Sequence, residues 1–544
     1  MEDETMKKNV KTKAKRVVVV ALLLSMLASI TALTGCGDKQ TGGKEQTTNK
    51  EGKTVIKMIG WGDTYETGIF QSMIEMFEEE YPEYDVWYDP KTSGNYITAL
   101  QNAIANPREM PDVFYMADTE FVRMANSTQI FEDLKPYIEK SDNLSLDDLY
   151  EESIRAYSYN EKTKTTGDME GALYGLPKDL GPCAIAYNKE FMKAAGIKLD
   201  RNISVGYDAA NKKLNDQICM TWAQFIRFSQ DLAAAGEKET GEKVATIGSY
   251  HMDYAYLSTG NNYTVWDEEE QKIKVNINND DFAMSVQFVS DFAIKYGMVN
   301  VEMQEQKGDM DRFVEEEAAT TWFGTWNTNS LWEAPFDWDI LPTPVPSTSY
   351  DLTDVNAPAR EGTKNVTTLG SVCLSVFSQS KVKEAAYKLV EYLSTNKDAQ
   401  IYNYENGMAL PNRKSLFDGY MTAELNDPEG MNRPQNRIVY KQHLENSPRR
   451  KTAVTYNSGN SWEEGLLTNE EEAYKMYHVM MKDGIIKTYK PNYIIFDWST
   501  GKMTTTPKSY DASTKDVLSG KEFLEWLSKD VQSIIDEQQG KYKY

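Results

Sequence analysis

Indole and phenol rings beside short acids are the groups in this chain best suited to chemistry. It carries 11 Trp and 33 Tyr among 544 residues. An aromatic face stacks on flat apolar surface, while a nearby carboxylate accepts hydrogen bonds from hydroxyls. That chemistry holds a molecule rather than breaking a bond in it. Signatures of bond breaking are missing from the sequence. It has no Gly-x-Ser-x-Gly, no His-Glu-x-x-His, no P-loop and no EF-hand series. The three histidines, His251, His443 and His478, are far apart and form no pattern. With 83 acidic residues, any chosen carboxylate pair carries no information. No enzyme is expected, and no metal or cofactor. Four cysteines exclude a disulfide-rich scaffold. A net charge of −24 argues against nucleic acid as a partner.

The N-terminus reads as an address. Lys7, Lys8, Lys11, Lys13, Lys15 and Arg16 precede an uncharged run from Val17 to Leu33. At about 1.5 Å per residue this run is short for a hydrocarbon core of about 30 Å, which favours a signal peptide over a permanent anchor. Met6 is an alternative start to Met1. Residues 37–52 have no large apolar side chain and read as a flexible tether. Cys183, Cys219 and Cys373 are expected as buried free thiols, although a Cys183–Cys373 bridge is conceivable.

The elements that must position the aromatics come next. Thr54–Ile59 suits a buried strand. Asp63 with Glu66 three residues on looks like a capping box for a helix carrying Ile69, Phe70, Met73 and Phe77, which Pro82 ends. Tyr84–Tyr88 and Asp112–Met116 are strand-like, with a helical stretch between them. This β-α-β-α-β order predicts a parallel sheet flanked by helices. Leu173–Leu176 and Ala184–Asn188 read as two strands separated by Pro177 and a Gly-Pro turn. Thr221 with Gln224 caps another helix. Trp338–Leu341 and Thr368–Phe377 read as strands, Val382–Leu393 as a helix, and Ser519 with Glu522 caps a last one.

Several blocks, in order, resemble the extracellular solute-binding proteins of bacterial ABC importers, in the carbohydrate-binding group that includes maltose-binding protein. They are the strand–Trp61–helix opening; Met110-Pro-Asp-Val-Phe-Tyr-Met-Ala-Asp118; Tyr174-Gly-Leu-Pro177 with Ala186-Tyr-Asn-Lys189; and Thr221-Trp-Ala-Gln-Phe225. Glu317 to Trp326 with Phe336 to Pro342 follows, then Leu369-Gly370 with Gly407 to Arg413. Leu33-Thr-Gly-Cys36 resembles the bacterial lipobox, so Cys36 is the expected lipidation site. The likeness covers about residues 54 to 415.

The resemblance implies a two-lobed α/β fold with crossovers at a hinge and a C-terminal helical region. Residues 1–35 would be a signal peptide and 36–53 the lipidated Cys and tether. Lobe one would comprise 54–176 plus about 370–425, and lobe two 177–369 plus about 426–544. The implied function is capture of a carbohydrate, an oligosaccharide, in an interlobe cleft and its delivery to ABC permease subunits. The protein would be a monomer held by lipid on the extracytoplasmic face of the cell membrane. The alternatives are a peptide, sugar acid or other organic anion as ligand, or a surface glycan hydrolase or lyase. A sugar cleft needs aromatic rings beside planar polar groups. The candidates are Trp61 and Asp63 at the end of the first strand, where ligands bind in open α/β sheets, and Asp118 at the same edge. Asp179, just after the hinge, and Arg413 follow. The resemblance places a stacking Trp at Trp326. Tyr254, Tyr256 and Trp462 are further aromatic candidates, and Tyr187 is expected to pack near the hinge.

Overall fold

The computed structural model describes residues 47–447 with short interruptions, the longest at 200–205 and 300–306, and a few positions between 495 and 536. The signal peptide, Cys36 and most of the last expected helix lie outside the described residues. No helix among the described residues is long and apolar enough to cross a membrane.

The opening follows the expected alternation: β1 (Thr54–Trp61), α1 (Thr64–Glu80), β2 (Tyr84–Lys91), α2 (Ser93–Ala105) and β3 (Val113–Ala117). β1 pairs in parallel with β2 from Thr54↔Tyr84 to Trp61↔Lys91, and with β3 at Met58↔Val113. α1 forms because Ile69, Phe70, Met73, Ile74 and Phe77 share one buried face. Asp63 caps it, its carboxylate accepting from the Glu66 amide at 2.8 Å. The other half of the expected capping box is diverted, since Glu66 turns its carboxylate to Lys178 instead.

β4 (Leu176–Asn188) organises the rest. After it come α3 (Trp222–Thr240), α4 (Met252–Ser258), α5 (Asp280–Lys295), β5 (Thr320–Gly324), β6 (Trp338–Leu341) and β7 (Leu369–Val376). α6 (Lys383–Thr395), α7 (Lys397–Glu405) and α8 (Ile438–Asn446) complete the described core. The main sheet runs β5-β4-β7-β3-β1-β2, with β6 also on β4. The sequence reading broke this stretch at Pro177 and Gly181-Pro182; the structure makes it one strand of 13 residues, every one buried. The prolines are tolerated because each sits where the ladder changes. Pro177 borders a register shift opposite Val372/Cys373, and Pro182 is the last residue paired with β7. From Cys183 the partner is β5, and from Ile185 also β6, all antiparallel.

Three larger apolar cores form among the described residues. The first joins β1, β3, α1, Leu176, β7 and α6. The second gathers α3, α4 and α5 against Ile185 and Tyr187. The third sets Ala184 and Ala186 against Phe323, Trp338, Tyr420 and Tyr440. Alternate side chains of β4 thus enter different cores, as period-two geometry requires. α3 carries the expected capping box at Thr221 and Gln224, and its Trp222 stacks on Phe288 at 4.5 Å.

Candidate functional site

β1 delivers Trp61 to its carboxyl end, half-buried, edge-on to Tyr96 (4.7 Å) and Tyr115 (5.3 Å). The glycine before it has a steric reason: a Cβ on Gly60 would lie 2.6 Å from the Tyr115 ring. Asp63, two residues beyond Trp61, is exposed and engaged as the cap of α1.

The first turn of α1 then meets the first half of β4. Lys178 Nζ lies 2.8 Å from Glu66 Oε1 and 2.5 Å from Asp179 Oδ2. It also sits 4.7 Å from the centroid of Phe70 and 5.3 Å from that of Tyr115. The lysine side chain is 2% exposed, the two acids 15% and 11%. Burial alone would drive the proton off Lys178, but Asp179 and Glu66 outweigh it and raise its pKa. Burial pushes the Glu66 carboxyl up, and Lys178 pulls it only partly back. The Tyr88 hydroxyl, 3.4 Å from that of Tyr115, completes the surroundings. Burial raises both phenols, so they stay neutral.

Trp326 arrives from the other side of β4, on the single 3-10 turn (Thr325–Asn327) that follows β5. Its indole rests on Gly181, where a Cβ would lie 2.7 Å from the ring. It packs against the first core while remaining partly exposed. The ring therefore lies over the same strand that carries Asp179, two residues earlier. Trp61 and Trp326 thus both pack on the first core, and Trp326 also rests on β4 two residues from Asp179.

Other candidates lie elsewhere. Tyr254 and Tyr256 are sealed in the second core, 1% and 0% exposed. The Tyr256 hydroxyl donates to the Asn276 carbonyl and accepts from Asn279 Nδ2 at 3.0 Å, and burial pushes its pKa up to about 12. Arg413 binds Asp148 at 2.6 Å and lines a pocket of about 230 Å³ with Glu80 and Tyr81, at the far end of α1 from Glu66. Asp118 and Trp462 lie outside the described residues. Tyr187 is 3% exposed and packs edge-on to Phe228. Cys183, Cys219 and Cys373 form no disulfide, and Cys183 and Cys373 are buried. No cluster of His, Cys, Asp and Glu suited to a metal occurs among the described residues. The sequence reading missed Glu66 and Lys178 as site residues. The signal for Lys178 was a charge next to Asp179 inside an otherwise apolar strand.

Rings that stack and acids that accept, with a buried cation fixing the acids, make a site fit to bind a polar, hydroxyl-bearing molecule. Residues 62–400 match the family described as bacterial extracellular solute-binding protein. The arabinooligosaccharide-binding protein of Bacillus subtilis (strain 168) is 23% identical over 284 residues, 51% of this chain and 54% of the relative. The chain thus spans about half the length of the curated relative it matches. An ABC substrate-binding protein of Listeria monocytogenes, solved in complex with cycloalternan, has a TM-score of 0.59 at 17% identity, covering 89% of this chain and 99% of that one. UgpB of Mycobacterium tuberculosis, in complex with glycerophosphocholine, gives 0.57 at 15%, covering 90% and 100%. These identities carry the fold, the two-lobed α/β architecture expected from the sequence. The two ligands differ, so the fold does not choose between them and the side chains must.

Proposed function

The chain belongs to the bacterial extracellular solute-binding proteins, and from that premise we propose that it captures an oligosaccharide between its lobes and delivers it to an ABC permease. The observation that carries this reading is that Trp61 and Trp326 pack partly exposed on one core, while Trp326 rests on β4 two residues from Asp179, which Lys178 joins to Glu66. The rings offer faces for the C–H patches of a pyranose or furanose, and the acids accept from its hydroxyls. The cycloalternan and arabinooligosaccharide ligands of the relatives agree with this chemistry. An organic anion fits less well, because Arg413 is engaged with Asp148 away from the cluster. A signal peptide over residues 1–35 and a lipid on Cys36 would hold the protein on the outer face of the membrane, as a monomer without catalytic activity. Closure would follow from tighter contact with the ligand in the closed state, since a ligand shifts an equilibrium only by its differential affinity.

The test is calorimetry and thermal unfolding with arabino- and malto-oligosaccharides. At a hundredfold excess over Kd, a ligand stabilises by about 2.7 kcal/mol. Trp326→Ala should weaken binding tenfold or more, equivalent to about 1.4 kcal/mol. Absence of both binding heat and thermal shift across a broad saccharide panel would refute the carbohydrate assignment.

A further inference from the structure

We infer that Lys178 is a positioning residue of the ligand site: a buried counter-ion that holds Glu66 and Asp179 side by side as two hydrogen-bond acceptors. The inference rests on the carbohydrate reading for its ligand, but its geometry is independent of it. One ammonium reaches both carboxylates, at 2.8 and 2.5 Å. Those two oxygens therefore lie within about 5 Å of each other, the range in which like charges suppress one another's ionisation. The lysine side chain is 2% exposed, so it is shielded from a ligand, whereas both acids keep some exposure. Each acid also keeps its second oxygen, Glu66 Oε2 and Asp179 Oδ1, outside the bond to Lys178. Those oxygens would be the acceptors for sugar hydroxyls.

The surroundings explain why a cation is needed. Asp63 and Asp179 both add negative potential at Glu66. From β3 and β2 the groups facing the cluster are the phenols of Tyr115 and Tyr88, which remain neutral and compensate no charge. The faces of Phe70 and Tyr115 seat the ammonium. Lys178 is the only cation bonded to Glu66 and Asp179 among the described residues. With it removed, two partly desolvated carboxylates share one place, and one of them must take up a proton.

The experiment compares the full-length protein with Lys178→Met and with Lys178→Met/Glu66→Gln. Urea midpoints are measured from pH 8 to pH 5, and affinity for maltotriose and arabinotriose from pH 8 to pH 6. In Lys178→Met the forced pair binds a proton more tightly folded than unfolded, so its midpoint should recover toward the wild-type value as the pH falls. Its affinity for whichever trisaccharide the wild type binds should be at least tenfold weaker, and weaker still at pH 6. The double variant removes the repulsion between two carboxylates but leaves Asp179 without its cation, so its stability deficit should be smaller than that of Lys178→Met and should change less with pH. A deficit in Lys178→Met that is constant with pH would mean that Lys178 only fills space, and would overturn the inference. If Lys178→Met does not fold, the double variant decides: folding supports the counter-ion role, and failure to fold overturns it. If the wild type binds neither sugar nor any other saccharide, the carbohydrate reading falls while the midpoint curves still judge Lys178.

Discussion

Acidification should destabilise this protein through one histidine. His443 on α8 is fully buried. Its Nδ1 lies 2.7 Å from the Cys183 carbonyl, and the Thr343 amide donates to its Nε2 at 3.2 Å. The acceptor role of Nε2 places the single ring proton on Nδ1, donated to β4. A second proton would have to displace the Thr343 amide in a site without water's dielectric, and burial lowers the pKa from 6.5 to about 4. The sign is set by the folded state binding this proton less readily than the unfolded state. Stability from His443 is therefore complete above 6.5, begins to fall below it, and is gone once the folded state also protonates near 4. At about 1.36 kcal/mol per pH unit, the loss between pH 8 and pH 5 is about 2 kcal/mol, and at pH 4 about 3 kcal/mol. The assay is urea unfolding of wild type and His443→Asn across pH 8 to 4. Asn retains a donor near the Nδ1 position but does not titrate, so subtraction removes every other acid group. The wild type should start more stable and converge on the variant by about 2 kcal/mol at pH 5. A difference that stays constant with pH, or a His443 ring signal titrating near 6.5, would refute the reasoning.

Two further expectations follow from burial and contact. Arg433→Met should cost about 3–5 kcal/mol by leaving Asp427 uncompensated, since both partners of that 2.8 Å pair are 0% exposed; a midpoint shift below about 1 kcal/mol in chemical denaturation would contradict it. Gly181→Ala puts a carbon 2.7 Å from both Thr325 Oγ1 and the Trp326 ring, so ligand affinity should drop and tryptophan fluorescence change while far-UV circular dichroism stays constant; unchanged affinity would mean that the indole can yield without loss.

The sequence carried the β1–β3 alternation because buried parallel strands read as short apolar runs and α1 displays helical spacing. β4 was misread for a local reason. Pro177, Gly181 and Pro182 are turn-forming residues, and only the partner strands reveal that each proline stands where no ladder bond is required of it. Among the candidate residues, Trp61, Asp179 and Trp326 were legible as the ends of motifs. Tyr254 and Tyr256 were not, because a phenol pairing with a buried carbonyl looks the same in a sequence as one pairing with a ligand. Glu66 was hidden by a genuine cap signature, half of which belongs to Asp63 alone. Lys178 was hidden because its two partners come together only when the first turn of α1 meets β4, a contact made across more than a hundred residues of chain.

The ladders on β4 abut without overlapping. β7 releases the strand at Pro182, and β5 takes it up at Cys183. The two halves of β4 are therefore held on this flank by different strands that meet end to end at the seam. Trp326 reaches across it, rooted beyond β5 yet resting on Gly181. A molecule that touched this indole and Asp179 together would span the seam, joining a group rooted on one partner strand to a group held by the other.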